Sequence, residues 1–341
     1  MGAVVETTSF SGNRKFVWFK SARRRPSEYE SYTVGQQSDP GQWLNVDWPL
    51  RFDSGRAPFV PESTALRCAR WGDFRDPTQT WQRPYVSTHN GEEQALATLV
   101  PAALSAGLAE AIAPAWRSQI LGKYYAAWPF VEYGQFLSLC YAVREALADT
   151  LTFAIAFEAA DKLRHNQDIV QFIFALKDAL PGFSDEAARP AWMTDPVLVP
   201  LRETLERIFS LNDWAEIVVA INLVLEPLAG ELFKNEFLAH LAPHHGDAVT
   251  PMILAGVRRD SVRHLETSQA LVRHVCADPQ QGEANRGVLR QWILKWTPHA
   301  EQAARALGGL FTLKGIDAVP FKPAWQRVVA QHKAIVAELG L

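Results

Sequence analysis

The sequence predicts an all-α protein, in which long helices form a bundle preceded by an extended N-terminal arm. Three observations support this fold class: a proline-rich beginning, a change of composition near Asn90, and four long stretches with helical periodicity. From about Asn90 the chain is rich in Ala, Leu and Glu, and its apolar residues recur with the period of an α-helix. The 341 residues suffice for one large domain or two.

The first ninety residues differ from the rest of the chain. They hold seven of the 21 prolines and five of the 12 tryptophans, with little sustained helical periodicity. Prolines at this spacing prevent long helices, because each lacks an N–H donor and restricts the residue before it. The aromatic rings of such an arm must pack on the chain's own bundle or on another chain, and protein interfaces are enriched in Trp and Arg. The candidate interface residues are Trp43, Trp48, Trp71, Arg75 and Trp81.

The remainder of the chain divides into nine predicted helices. They span about 91–107, 108–120, 122–149, 150–180, 195–210, 211–241, 247–277, 285–306 and 322–339. Helix ends are indicated by the turn residues of "LPGFSDE" and "APHHGD". These boundaries predict an arm over residues 1–90, a bundle over 91–315 and a C-terminal helix within 316–341.

Two stretches share the pattern Asp-x-x-Arg-His. "DKLRH" covers residues 161–165 and "DSVRH" covers 260–264, so the two histidines lie 99 positions apart (264 − 165). Each stretch falls in the second helix of a consecutive pair of long predicted helices. A duplicated hairpin of long helices is the plan of a ferritin-like (ribonucleotide-reductase-like) helical bundle.

A di-iron site in such a bundle takes one Glu from the first helix of each pair and a Glu-x-x-His from the second. The i, i+3 spacing directs both ligands inward from one helix face. The residues at the corresponding positions are Glu132, Lys162 and His165 in the first pair, and Glu226 or Glu231, Ser261 and His264 in the second.

Lys162 and Ser261 stand where two of the glutamates are needed, so at most four of six ligands remain. A lysine repels a metal ion and also removes a ligand. Glu158, one turn before Lys162, offers a substitute carboxylate on that side, but nothing replaces the ligand lost at Ser261. The pattern therefore favours a degenerate bundle without metal.

In the metal-free interpretation, Lys162 supplies the positive charge that a metal would bring, and it pairs with Glu132 or Glu158. His165 and His264 then make ordinary buried hydrogen bonds, as buried polar groups generally do.

Composition and charge exclude several classes of function. The formal net charge is −3, so no global field attracts nucleic acid or an anionic membrane. The three cysteines form no C-x-x-C pair, which is typical of a reducing compartment. The chain shows no apolar signal sequence, no membrane-length apolar run and no phosphate-binding or serine-hydrolase motif. We therefore expect a cytoplasmic protein without nucleic-acid or membrane partners.

Seven stretches, in their order along the chain, are similar to one known family. They are "SEYESYTV" (27–34), "LRFDSGRAP" (50–58), "RWGDFRDPTQTWQRPYV" (70–86), "YYAAWPFVEYGQFLSLCYAVREALAD" (124–149), "FEAADKLRHNQDIVQ" (157–171), "FLAHLAPHHGDAVTP" (237–251) and "NRGVLRQWILKW" (285–296). The chain resembles the β subunit of the hydroxylase component of soluble bacterial multicomponent di-iron monooxygenases. This family includes the methane, propane, alkene, isoprene, toluene and phenol hydroxylases.

The resemblance implies a subunit without catalytic residues or cofactors of its own. In the family, a paralogous α subunit holds the di-iron centre, and two αβ pairs, usually with a small γ subunit, form the hydroxylase. A reductase carrying FAD and an iron–sulfur centre supplies electrons from NADH, and a small effector protein couples them to O₂ activation. Some members add a Rieske-type ferredoxin. Such a complex inserts one oxygen atom into a hydrocarbon.

The stretches "DKLRHNQDIV" and "SVRHLE" are more similar to the alkene, isoprene and toluene side of the family than to the methane side. This implies alkene epoxidation or hydroxylation of an aromatic or other hydrocarbon, with the substrate chosen in the α subunit. Two alternatives remain at this point. One is an independent single-chain ferritin-like di-metal oxidase, and the other is an interaction scaffold unrelated to oxygenases.

Overall fold

A computed structural model describes residues 25–34, 55–56, 60–317 and 319–341 of the chain. The described residues form helices and connecting turns, without any strand. Their α-helices are α1 (Glu28–Tyr32), α2 (Gln82–Ser105), α3 (Leu108–Ala111), α4 (Pro129–Glu145), α5 (Asp149–Ala179), α6 (Ala188–Thr194), α7 (Val199–Phe209), α8 (Trp214–Val219), α9 (Val249–Cys276), α10 (Gly282–Leu307) and α11 (Phe321–Glu338). Three segments have π-helical geometry: Trp116–Tyr125, Ala220–Gly230 and Leu232–Ala239.

Two helical hairpins form the centre of the bundle, which confirms the predicted all-α, ferritin-like fold. The first hairpin is α4 with α5. In the second, α8 and the two π segments after it make one continuous helix over residues 214–241, here called the central helix, which packs against α9. Among the described helices, none combines the length and the apolar composition needed to cross a bilayer.

The predicted helix 122–149 is interrupted just before Pro129. The π-helical segment Trp116–Tyr125 ends shortly before this point, and α4 begins at Pro129 itself. Proline has no N–H to donate to the preceding turn, but it is well suited to the first position of a new helix. The predicted helix is therefore two helices that meet at Trp128.

The central helix contains a proline, Pro227, in its π-helical part. Proline lacks the N–H that a helix interior uses, and the π-helical geometry of this segment already departs from the α-helical hydrogen-bond pattern. The buried side chain of His332 on α11 lies beside the backbone of this segment near Leu223.

The central helix is almost completely buried. Its core side chains include Trp214, Phe233 and Phe237, and α10 and α11 cover its outer side. A helix with apolar residues on several sides belongs in the interior of a protein, and its few charged residues then need buried partners. The helix at the equivalent position of the first hairpin, α4, is covered only in part: α7 and α8 pack on it and the Trp192 ring of α6 stacks on Phe130 at 5.7 Å, but Phe130 and Tyr133 stay partly exposed.

The described part of the N-terminal region packs on the chain's own bundle. Leu66 and Phe74 are buried in the core, and the side-chain amide of Asn285 on α10 bonds to both the N–H and the carbonyl of Arg67. Helix α2 begins at Gln82, earlier than the predicted 91, because Pro84 lies in its first turn, where proline is tolerated.

Candidate functional site

A buried lysine occupies the position of a metal-bridging glutamate. Lys162 on α5 has no solvent exposure, and its Nζ lies 2.8 Å from Oε1 of Glu226 and 3.7 Å from Oε2 of Glu132. Glu132 is on α4 and Glu226 is on the central helix. The predicted pairing of Lys162 with Glu132 is therefore present, but its closer partner is Glu226.

A second lysine, Lys234, joins the same cluster and was not predicted. Its Nζ lies 2.6 Å from Oε2 of Glu226 and 3.8 Å from Oε1 of Glu132. Each ammonium group thus lies between the same two carboxylates, and two positive charges balance two negative ones. The sequence could have indicated this residue, because Lys234 is the one lysine or arginine in the mostly apolar stretch 214–241. We call these four residues the lysine–glutamate cluster.

The mutual attraction in this cluster outweighs the cost of burial. Burial alone raises the pKa of Glu132, but the two ammonium groups lower it, and the net result is a pKa of about 2. Burial likewise opposes ionisation of Glu226, yet Lys162 and Lys234 hold its pKa well below the usual value. Burial lowers the pKa of Lys162, and the charges of Glu226 and Glu132 reverse this effect and raise it. All three groups are therefore charged at neutral pH.

Neighbouring side chains fix the two carboxylates in place. Trp128 Nε1 donates to Glu132 Oε1 at 3.0 Å, and Gln135 Nε2 donates to Glu226 Oε1 at 2.8 Å. Gly230 leaves the space that the Glu226 carboxylate occupies, since a Cβ at this position would lie 2.3 Å from Glu226 Oε2. Each carboxylate thus accepts a hydrogen bond from a neutral side chain in addition to its contacts with the two lysines.

The two Asp-x-x-Arg-His stretches pair with each other crosswise. His165 Nε2 lies 3.0 Å from Asp260 Oδ2, and His264 Nε2 lies 2.8 Å from Asp161 Oδ2. The arginines follow the same exchange, since Arg164 bonds to the second aspartate and Arg263 to the first. Each repeat thus supplies the counter-charge for the other, and the predicted buried hydrogen bonds of both histidines are present. We call this group the crossed cluster.

The orientation of the histidines is that of metal ligands. Each holds its Nε2 against an aspartate, while Nδ1 has no hydrogen-bond partner among the described residues. Metal-binding histidines commonly have one ring nitrogen fixed by a carboxylate, so that the other nitrogen faces the ion. In this chain the Nδ1 of His165 faces the Glu132 carboxylate at 3.7 Å. Burial lowers the pKa of His165, but the hydrogen bond with Asp260 and the nearby Glu132 carboxylate raise it above the ordinary value.

The other predicted site positions do not contribute ligands. Ser261 Oγ donates to the Val257 carbonyl of its own helix at 2.9 Å. Glu231 accepts a bond from Asn235 Nδ2 at 2.6 Å, so Glu226 is the carboxylate of the site. Glu158 accepts from Asn222 Nδ2 at 3.0 Å, and Glu132 and Glu226 rather than Glu158 pair with Lys162.

These residues do not fit a di-iron centre. Two ammonium groups lie between the two remaining carboxylate ligands, Glu132 and Glu226, and serine replaces another ligand. Among the described residues, the group with suitable spacing for a single ion is His89, Asp161 and Asp260. Both of its aspartates already neutralise an arginine and bond a histidine in the crossed cluster, which leaves little charge to attract a cation.

The candidate interface residues of the arm fall in two groups. The Trp71 ring packs edge-on against Trp214 at 5.6 Å, and Trp81 stacks on Tyr32 at 4.5 Å. Arg75 lies 3.9 Å from Glu30 and bonds to two nearby carbonyls. Trp43 and Trp48 lie outside the described residues. Contact of the arm with another chain stays a prediction.

Acid is expected to destabilise the protein through the two clusters. The pKa values of Glu132, Glu226, Asp161 and Asp260 are all lowered in the folded state. A carboxyl group with a lowered pKa stabilises the fold above its unfolded pKa, and this stabilisation is lost as the pH falls through the folded value. For Glu132 the loss occurs between the ordinary value of 4.5 and about 2.

The measurement is the free energy of unfolding by urea at a series of pH values. Burial raises the pKa values of Asp149 and Asp168 to about 6. These two groups therefore stabilise the fold at low pH, and that stabilisation is lost as the pH rises from 3.8 towards 6. The net loss is therefore expected below about pH 4. Stability that stays constant from neutral pH down to about pH 3 would contradict the assignment of the carboxylates as ionised.

Comparison with known proteins identifies relatives over nearly the whole chain. The profile of the family described as Methane/Phenol/Alkene Hydroxylase matches residues 48–279. The hydroxylase component small subunit of propane 2-monooxygenase from Rhodococcus jostii is 28% identical over 332 residues, which cover 97% of this chain and 90% of that protein. The component A beta chain of methane monooxygenase from Methylococcus capsulatus is 31% identical over 314 residues, which cover 88% and 79%.

Two solved structures share the fold. A chain of phenol hydroxylase from Pseudomonas sp. OX1 superimposes with a TM-score of 0.81 at 17% identity, over 98% of both chains. A chain of toluene 4-monooxygenase superimposes with a TM-score of 0.74 at 24% identity, over 87% of this chain and 98% of that one.

Proposed function

This chain belongs to the methane/phenol/alkene hydroxylase family, and we propose that it is the non-catalytic β (small) subunit of the hydroxylase component of a multicomponent di-iron monooxygenase. The observation that carries this proposal is the lysine–glutamate cluster. Lys162 and Lys234 neutralise Glu132 and Glu226, so the carboxylates retained at the metal positions already have partners. The bundle has the fold of a di-iron protein, but lysine side chains neutralise its buried carboxylates.

The proposal assigns the oxygen chemistry to other chains. A di-iron α subunit holds the metal centre and the substrate cavity, and two copies of each subunit, with a small γ subunit, form the hydroxylase. A reductase with FAD and an iron–sulfur centre supplies electrons from NADH, an effector protein couples them to O₂, and a Rieske ferredoxin serves in some family members. The site of action is the cytoplasm. The contribution of this chain is to support and dimerise the α subunit.

The substrate binds in the partner subunit, and we propose its class, a hydrocarbon. The relatives are named for propane, methane, toluene and phenol. The resemblance of two short stretches to the alkene and aromatic branch supports epoxidation of an alkene or hydroxylation of an aromatic compound. The residues that line the α-subunit cavity decide between these substrates and an alkane.

Iron analysis after co-expression with a di-iron α subunit of the family tests the proposal. We expect the two chains to co-purify, with the iron bound to the α subunit and no stoichiometric iron in this chain purified alone. The control is the α subunit purified alone and loaded with iron in the same way. Two irons per copy of this chain would instead support an independent di-metal oxidase, and failure to bind any di-iron partner would support an unrelated scaffold.

A further inference from the structure

A groove lies between α2 and α5, and α9 contributes to its base. It is here called the α2–α5 groove, and its volume is about 130 Å³. Its apolar wall consists of Leu96, Val100, Phe172, Ala175 and Ile253. Phe172 and Ile253 are buried, whereas Ala97 and Gln171 at the edge of the groove are exposed. A small molecule can therefore enter from solvent and contact apolar side chains of three helices.

One carboxyl group in this groove has no hydrogen bond among the described residues. It belongs to Asp168, which lines the groove and whose side chain is only 9% exposed. The guanidinium of Arg164 lies nearby, with Nη1 at 3.6 Å from Asp168 Oδ2. Buried polar groups normally have hydrogen-bond partners. Burial is the main cause of the raised pKa of Asp168, which fits a carboxylate that lacks donors.

A donor group lies one helical turn away from this carboxylate. Gln171 follows Asp168 by three positions on α5, so the two side chains lie on the same side of the helix, and both line the groove. The side-chain amide of Gln171 also makes no hydrogen bond within the described part of the chain. An ionised carboxylate only accepts hydrogen bonds, whereas an amide N–H donates. The polar end of the groove thus offers an acceptor and a donor beside an apolar wall.

This combination is typical of a small-molecule site, which is concave and mainly apolar with a small number of polar groups that orient the ligand. An apolar cavity of about 150 Å³ with aliphatic and aromatic walls binds benzene, so the groove has room for a body of about six carbons. A hydroxyl group both donates and accepts, and it therefore complements Asp168 and Gln171. An ammonium group only donates, and the guanidinium of Arg164 would repel it.

We propose that the α2–α5 groove binds a small uncharged molecule with an apolar body and one hydroxyl group, a phenol or an alcohol. The hydroxyl donates to Asp168 and accepts from Gln171, while the body contacts Val100, Phe172 and Ala175. The proposal goes beyond the proposed function and does not depend on it. A hydrocarbon that has gained one hydroxyl group is also the kind of product that a monooxygenase releases.

Titration of the full chain with phenol tests the proposal, and benzene and benzylamine are the related ligands without a hydroxyl group. Saturation-transfer NMR is expected to show saturable phenol binding with a Kd of about 1 mM or lower. We expect benzene to bind about tenfold more weakly, because it makes neither hydrogen bond. Benzylamine is expected to bind more weakly than phenol because its ammonium group is placed near Arg164.

Two substitutions separate the apolar wall from the polar end. Ala175→Leu fills the groove and is expected to weaken phenol binding by about tenfold or more. Asp168→Asn keeps the shape of the side chain but removes the charged acceptor, so phenol is expected to bind about tenfold more weakly and benzene with unchanged affinity. The matched controls are Ala102→Leu on α2 and Asp178→Asn on α5, at exposed positions outside the groove. Circular dichroism checks the fold, and Ala97→Leu fills the groove from its edge if Ala175→Leu does not fold.

The outcomes of these titrations decide the proposal. Saturable phenol binding that is lost in Ala175→Leu and weakened in Asp168→Asn, with unchanged controls, supports the site. Equal affinity for phenol and benzene, or unchanged phenol affinity in Asp168→Asn, overturns the role of the hydroxyl group and with it the proposal. Tighter binding of benzylamine than of phenol overturns it in favour of a cationic ligand. Absence of saturable phenol binding, or unchanged binding in Ala175→Leu, overturns the site itself, while the proposed function is tested separately by the iron analysis.

Discussion

Replacing Lys162 with alanine is expected to lower the free energy of unfolding by about 3–5 kcal/mol, the usual cost of breaking a buried ion pair. The substitution leaves Glu132 and Glu226 buried with a single ammonium group, that of Lys234, between them. One carboxylate can recover part of the loss by taking up a proton, with its pKa rising as a result. Unfolding by urea measures the effect, and Lys322→Ala on the exposed side of α11 is the matched control.

The double variant Lys162→Met, Glu226→Gln is expected to be far milder than Lys162→Ala alone. It removes one positive and one negative charge together, so Lys234 and Glu132 remain as a balanced pair. The assembled complex carrying this variant is expected to keep nearly full monooxygenase turnover, since the proposed function places the chemistry in another chain. A large loss of turnover without loss of assembly would mean that this chain takes part in catalysis.

Replacing Asp161 with alanine is expected to destabilise the protein by a similar amount, about 3–5 kcal/mol. The Asp161 carboxylate is fully buried and neutralises Arg263, and it also accepts bonds from His264 and from the Tyr85 hydroxyl. Arg263 and Tyr85 lose their shorter contact and keep only longer ones, to Asp260 at 3.7 Å and to the Phe157 carbonyl at 3.4 Å, and His264 loses its hydrogen-bond partner. The matched control is Asp178→Ala, at an exposed position of the same helix.

The destabilisation of Asp161→Ala is measured by urea unfolding at neutral pH. Addition of Arg263→Ala is expected to restore part of the stability, because it removes the guanidinium left without its main partner. Equal effects of Asp161→Ala and Asp178→Ala would show that the crossed cluster does not stabilise the fold.

The register of the first hairpin was predictable from the sequence because it depends on local spacing. The positions of Glu132, Lys162 and His165 follow from helix periodicity and from the length of two antiparallel helices, and the structure brings them together as expected. Lys234 was missed because the di-iron template has no ligand at its position, and the central helix has π-helical geometry there. A template derived from α-helical spacing does not describe which side chains face the core in such a segment.

The crossed cluster could not be predicted in detail for a different reason. The repeated motif showed that the two stretches are equivalent, but an aspartate can bond to a histidine of its own helix or of the other one. The structure shows exchange between helices, with Asp260 bonding to His165 and Asp161 to His264. This choice depends on the distance and rotation between α5 and α9, which packing of the whole bundle determines.

The exchange of counter-charges between the repeats also bears on how the chain folds during synthesis. The hydrogen-bonded partners His165 and Asp260 are 95 residues apart, Asp161 and His264 are 103 apart, and Lys162 and Glu226 are 64 apart. When the ribosome has released only the first hairpin, its buried charges lack these partners, and contacts of such long range form slowly. The buried charges of the first hairpin therefore gain these partners only after the second hairpin has emerged.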